Sequence, residues 1–308
     1  MASHRTMAKP GAEKNPKSLI SKVLPTIILV LLAIGVLLYP VIVTQLNNIE
    51  QRRVAEQYSS DLDMESHDDL AERFASAQRY NEERSQGPIL DPWLARITED
   101  NVAYQAYLDE LDTHDVMARL VVPSASVDLP VYHGTGEEVL GKGVGHLYGS
   151  DLPVGGLGTH SILTAHTGLT NATLFDNLDD VVEGESIYIS VAGEKLKYKV
   201  TDIRVVLPHE TDTLRPEIGK DQLTLITCTP YGINTHRLLV TGERVEMDPD
   251  EEGDIFTPSG MIWTWWMYAL AITALLIALL TVRWLRSMAR KHNQRFPESP
   301  VQDNERQI

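Results

Sequence analysis

One sulfur, one imidazole and one guanidinium stand out by where they fall in this chain. Cys228 is the single cysteine among 308 residues, so no intrachain disulfide can form. An unpaired cysteine is either a buried, inert group or a reactive thiol. It closes the run Leu223-Thr224-Leu225-Ile226-Thr227-Cys228, which reads as a buried strand that Pro230 ends. Strand ends are where side chains emerge at the rim of a sheet, held by a rigid scaffold and opened to substrate by loops. A thiol with the usual pKa of about 8.5 is only a few per cent thiolate at neutral pH, so a nucleophilic Cys228 needs a base or a cation beside it. His166 follows a second strand pattern, Ser161-Ile162-Leu163-Thr164-Ala165. Arg237 opens the strand after the cysteine, across the loop Thr229 to His236 with its Pro230 and Gly232. If the flanking strands pair antiparallel, Cys228 and Arg237 meet across the ladder. Such a set supplies a nucleophile, a general acid/base and a cation for a tetrahedral oxyanion, which is the equipment for thiol acyl transfer.

Each residue also has an ordinary reading. A lone cysteine is more often a small core hydrophobe, His166 could be a hydrogen-bonded surface histidine, and Arg237 could face solvent. His67, His114, His133, His146, His160, His209 and His236 occupy the same part of the chain, so rarity does not select His166.

The elements that must hold these groups are strands. Ala118–Val122, Val127–Tyr132, His160–Thr164, Ser186–Val191, Lys195–Val206, Leu223–Thr227 and Arg237–Thr241 are short, rich in β-branched residues and punctuated by Gly, Pro, Asn and Asp. Leu196, Tyr198 and Val200 alternate with Lys195, Lys197 and Lys199, as in a half-buried antiparallel strand. The spacing predicts a mainly β fold, a closed or nearly closed barrel of roughly 130 residues over 114–247. Asn171–Leu178 reads as one or two helical turns. Residues 44–84 lack Gly and Pro and predict one or two helices, Ser85-Gln86-Gly87-Pro88 breaks the pattern, and Asn101–Leu111 predicts another short helix. The region 44–113 is thus helical, with a non-helical segment at 85–100.

Two apolar runs lie outside that body. Val23–Val43 is long enough to span a bilayer core as a helix, with Pro25 and Pro40 near its ends. It is longer than a signal-peptide core, and no small-residue cleavage site follows, so it reads as an uncleaved anchor. The second run, 261–282, opens with Trp263, Trp265, Trp266 and Tyr268 and is followed by Trp284, the aromatic placement of a membrane interface. Residues 1–22 and 283–308 are both basic, which predicts both termini in the cytoplasm and 44–260 outside. That outer part carries most of the 43 Asp and Glu, including the acidic linker within 248–260. Net charge is −16, which argues against nucleic acid as a partner. No run of His, Cys or carboxylates has metal-ligand spacing, and no cofactor is expected.

Thr224-Leu225-Ile226-Thr227-Cys228 resembles the TLxTC signature of sortases, the cell-wall transpeptidases of Gram-positive bacteria. His160–Leu169 (HSILTAHTGL) and Thr227–Val240 (TCTPYGINTHRLLV) resemble the class C, or pilus, branch. The resemblance covers roughly 115–245 and implies an eight-stranded β-barrel, with Cys228 as nucleophile, His166 as acid/base and Arg237 as oxyanion or substrate clamp. Asp91-Pro92-Trp93 resembles the Asp-Pro-aromatic lid of pilus sortases; Asp91 would pair with Arg237 and Trp93 would cover the thiol. By the same resemblance the substrates are pilins bearing an LPXTG-like signal and the acceptor is a lysine amine of another pilin. The alternatives left open are a sortase that attaches proteins to peptidoglycan, a simple cysteine protease, and a non-catalytic membrane scaffold with a structural Cys228.

Overall fold

The structure is a computed structural model and describes residues 17–83, 101–112, 115–210, 214–248, 251, 255–256 and 260–295. The lid segment 85–100 with Asp91, Pro92 and Trp93, both chain ends and most of the acidic linker lie outside the described residues. The chain divides into a unit of 42–264 and a second unit made of the flanking segments.

Two helices, α1 (Lys17–Met64), which begins in the flanking unit, and a C-terminal helix (Trp265–Arg295), are each long and apolar enough to cross a membrane. The apolar run of α1 does not stop at its prolines: Pro25 and Pro40 both lie inside one continuous helix. Each proline forfeits one backbone hydrogen bond, but a helix keeps the remaining polar groups satisfied where no water is at hand. The C-terminal helix begins at Trp265, not at Met261.

In the larger unit the tail of α1 is followed by α2 (His67–Glu83) and α3 (Val102–Leu108). Ser66 starts α2 by accepting from Asp69 N–H, and Asn101 starts α3 by accepting from Ala103 and Tyr104 N–H. Eight strands come next: β1 (Ala118–Val122), β2 (Val127–His133), β3 (Val144–His146), β4 (Thr159–Thr164), β5 (Ser186–Val191), β6 (Glu194–Val206), β7 (Asp221–Thr229) and β8 (His236–Val245). A short helix, α4 (Glu137–Leu140), precedes β3, and the Trp265–Arg295 helix becomes α5. The strands close into a barrel in the order β1-β2-β3-β4-β7-β8-β6-β5, with β5 returning to β1. Two neighbour pairs, β2–β3 and β4–β7, run parallel.

The strand expectations match closely, apart from β3. Three residues with a central glycine carry too little alternation to register as a strand. The expected helical turns at 171–178 are instead a turn followed by a 3-10 turn at Leu178–Asp180.

Side-chain alternation sorts the barrel into two faces. Leu120, Val131, Leu163, Ala165, Ile187, Ile189, Leu196, Tyr198, Leu223, Leu225, Leu238 and Val240 fill the interior. The opposite parity on β4, β7 and β8 forms a separate apolar cluster of Ile162, Ile226 and Leu239, joined by Leu147 and Leu214. Both faces of β7 are therefore covered. That explains why its sequence reads as continuously apolar and not alternating.

Candidate active site

Cys228 and Arg237 are direct register partners on antiparallel β7 and β8. Directly opposed residues project to the same face, and here the parity is that of Ile226 and Leu239, so both side chains belong to the outer face of the barrel. Cys228 is buried and not disulfide-bonded, and Arg237 is almost as buried. Cys228 is the last but one residue of β7, not its last.

His166 arrives from the other side of β7. β4 runs parallel to β7 with Thr164 opposite Ile226, and the ladder continues with Ala165 N–H donating to the Ile226 carbonyl. Ala165 belongs to the interior, and His166 follows it at the start of the loop that leaves this end of β4. The register of β7 with β8 sets Cys228 beside Arg237, and the parallel pairing of β4 with β7 leads the chain to His166 at the same end of the barrel.

The loops that carry them are tied to one another. Thr227 donates to the Ala165 carbonyl at 2.8 Å and lies 2.7 Å from the Thr167 hydroxyl. Phe175 N–H donates to the His166 carbonyl at 3.1 Å, closing the loop after His166 into a ring. Gly168, with φ +82°, lies so near the β7–β8 loop that an added Cβ would sit 3.3 Å from Gly232 N. A side chain there would be strained in the backbone and would wedge the two loops apart. Arg237 Nη1 donates to the carbonyls of His236 (3.2 Å) and Asn234 (3.4 Å), bracing the turn that follows the cysteine.

Sequence reasoning missed two residues. Asp176 Oδ1 accepts from Gly168 N–H at 2.8 Å, pinning the loop that follows His166, and Tyr231 of the β7–β8 loop lies near enough to act on the same carboxyl. Burial pushes that carboxyl up to about 7, with Gly168 and Tyr231 opposing and Asp179 adding repulsion. Glu137, at the start of α4, acts on the imidazole: burial lowers the His166 pKa, and the Glu137 charge draws it back up. An aspartate in a turn-rich stretch and a glutamate on a short helix leave no mark in the sequence that separates them from solvated neighbours. Among the described residues no group of three or more His, Cys, Asp or Glu is placed to hold a metal ion.

Comparison with known proteins decides the family. A Sortase domain model matches residues 120–245. Sortase C-1 from Actinomyces oris is 58% identical over 58% of this chain and 99% of that one, with a TM-score of 0.55. The chain belongs to the sortase family, in its class C branch. Two further solved structures agree on the family. Sortase C of Streptococcus pneumoniae is 36% identical over 63% of this chain and 97% of that one, with a TM-score of 0.59. A lid mutant of sortase A from Corynebacterium diphtheriae is 46% identical over 61% and 100%, with a TM-score of 0.57. Sortases are cysteine transpeptidases, and this sortase carries its single thiol on the outer face of the family barrel, with two apolar helices as candidate membrane anchors.

Proposed function

We propose that this sortase cleaves an LPXTG-like sorting signal between Thr and Gly and transfers the pilin to a lysine amine of another pilin, building covalent pili. The observation that carries the reading is the direct register of Cys228 with Arg237, with His166 reached from β4 at the same end of the barrel. Cys228 Sγ attacks the Thr carbonyl carbon, its proton passes to His166, and Arg237 balances the oxyanion. Collapse of the tetrahedral species breaks the C–N bond, and His166 gives its proton to the departing glycine amine. A thioester remains on Cys228. A lysine amine then attacks the thioester carbonyl, the C–S bond breaks as the isopeptide bond forms, and His166 relays the amine proton to the departing sulfur, restoring the thiol.

Several features support this reading. The S. pneumoniae relative is described in terms of pilin substrate specificity, and the C. diphtheriae relative as a lid mutant. The second supports a lid role for Asp91-Pro92-Trp93. Basic flanks on both apolar runs support cytoplasmic termini with the barrel outside. Holding enzyme and anchored substrates on one surface raises the effective concentration of the amine over water.

The test is to incubate the full chain with candidate pilins and analyse products by mass spectrometry. A Thr-to-Lys isopeptide and a thioester on Cys228 are expected. Free acid alone would indicate a protease, transfer only to a peptidoglycan amine would indicate wall anchoring, and full function in Cys228→Ala would indicate a scaffold.

A further inference from the structure

The tail of α1 grips the loop that carries His166. Thr44, Asn47 and Asn48 occupy one helix face, three and four residues apart. Thr44 Oγ1 donates to the Thr170 carbonyl at 3.2 Å, and Asn47 Nδ2 donates to the Asn171 carbonyl at 2.8 Å. Asn48 makes a reciprocal pair: its Nδ2 donates to Thr173 Oγ1 at 2.7 Å, and its Oδ1 accepts from Thr173 N–H at 3.1 Å. Asn48 is 5% exposed and both bonds of its pair with Thr173 are buried, so that pair is shielded from competing water, whereas the Asn47 bond is exposed.

Two observations make this more than packing. Thr and Asn are poor residues for a helix interior, because their side chains compete for backbone partners, yet here three follow within five residues of Val43, where the apolar run ends. The loop they hold is also the ring closed by Phe175 N–H on the His166 carbonyl, with Asp176 reaching back to Gly168 N–H. A displacement of Thr173 is therefore a displacement of the His166 backbone.

We propose that Asn48, assisted by Thr44 and Asn47, is a positioning residue for acyl transfer: it fastens the His166 loop to the helix that leaves the membrane. The proposal rests on the transpeptidase reading above. The anchor helix is then part of the catalytic apparatus, because it sets where the imidazole sits relative to Cys228.

The test uses the full chain in phosphatidylglycerol nanodiscs. Asn48→Leu keeps the size and removes the polar contacts, whereas Asn48→Asp keeps acceptors for both the Thr173 N–H and its hydroxyl. In Asn48→Leu, amide exchange across 166–176 is expected to rise about tenfold, the size of one lost buried hydrogen-bond pair, while β6 amides stay unchanged. Transfer of a sorting-signal peptide to an amine is expected to lose about tenfold in kcat or more, with KM nearly constant, because misplacing a catalytic group by about 1 Å costs up to about a hundredfold. Asn48→Asp is expected to recover most of both. If Asn48→Leu fails to fold, Thr173→Val removes the Asn48 Nδ2 bond from the loop side while sparing the Thr173 N–H bond to Asn48 Oδ1, and a smaller rise in loop exchange with a smaller loss of kcat is expected. Unchanged loop exchange, or faster exchange with unaltered kcat, overturns the proposal. A wild-type chain that transfers no sorting-signal peptide sinks the transpeptidase reading instead, and the exchange data then still report whether the helix holds the loop.

Discussion

Cys228 on β7 sits directly opposite Arg237 on β8, so the guanidinium and the thiol are held in fixed register by a backbone ladder and not by a loop. Arg237 donates to the carbonyls of Asn234 and His236 through Nη1, and a lysine would bring a single compact donor in place of the planar guanidinium. Arg237→Lys is expected to lower kcat/KM for peptide transfer by about a hundredfold, in the range for losing one oxyanion donor, with little change in melting temperature. Steady-state kinetics beside a thermal melt check this; near-native turnover would remove Arg237 from the chemistry.

His166 and Glu137 give a prediction in pH. Burial depresses the imidazole pKa and Glu137 opposes it, so Glu137→Gln is expected to lower the pKa further. The imidazole proton resonances followed through a titration read this directly. The sign for stability follows: the folded state releases the His166 proton more readily than the unfolded chain, so stability falls as pH drops below the unfolded value of about 6.5. His166→Gln is expected to show a shallower acid decline.

Asp176 titrates in the opposite sense. Its folded pKa of about 7 lies above the unfolded carboxylate value, so the folded state binds the proton more tightly. The stabilisation is full below about pH 4 and is lost as pH rises towards 7. Asp176→Asn keeps an acceptor for Gly168 N–H and removes the charge. The variant is expected to gain in melting temperature over wild type at pH 8 but not at pH 4.

How far the sequence carries depended on whether a residue's role lies in its own element. β7 and β8 announce themselves, because an apolar β-branched run cut by a proline and a loop is a local signal. The meeting of Cys228 with Arg237 then follows from antiparallel pairing. His166 needs the parallel β4–β7 pairing, which no local pattern encodes; there only family resemblance brought it to the cysteine. Asp176 and Asn48 were illegible for the same reason: each acts on a partner brought near by the fold, Gly168 eight residues away in one case and Thr173 across 125 residues in the other.

Arg119 and Asp128 form an ion pair on β1 and β2, both nearly fully buried, with Arg119 also donating to Ser59 of α1 and to the Phe256 carbonyl. Removing one partner leaves a buried charge uncompensated. Asp128→Asn is expected to destabilise the fold by about 3 kcal/mol, whereas an Arg119→Met, Asp128→Leu double variant is expected to recover most of that loss. Denaturant unfolding of the three chains compares them; equal midpoints would mean the pair contributes nothing.

The Cys228–Arg237 pair lies on the outside of a closed barrel, and that location governs what size of molecule it can serve. A pocket in the lumen would admit only what fits between the strands. Under the proposed pilin-to-pilin transfer, an external ledge lets two folded subunits approach from different directions, each offering a short tail or a single side chain, without either being threaded or unfolded.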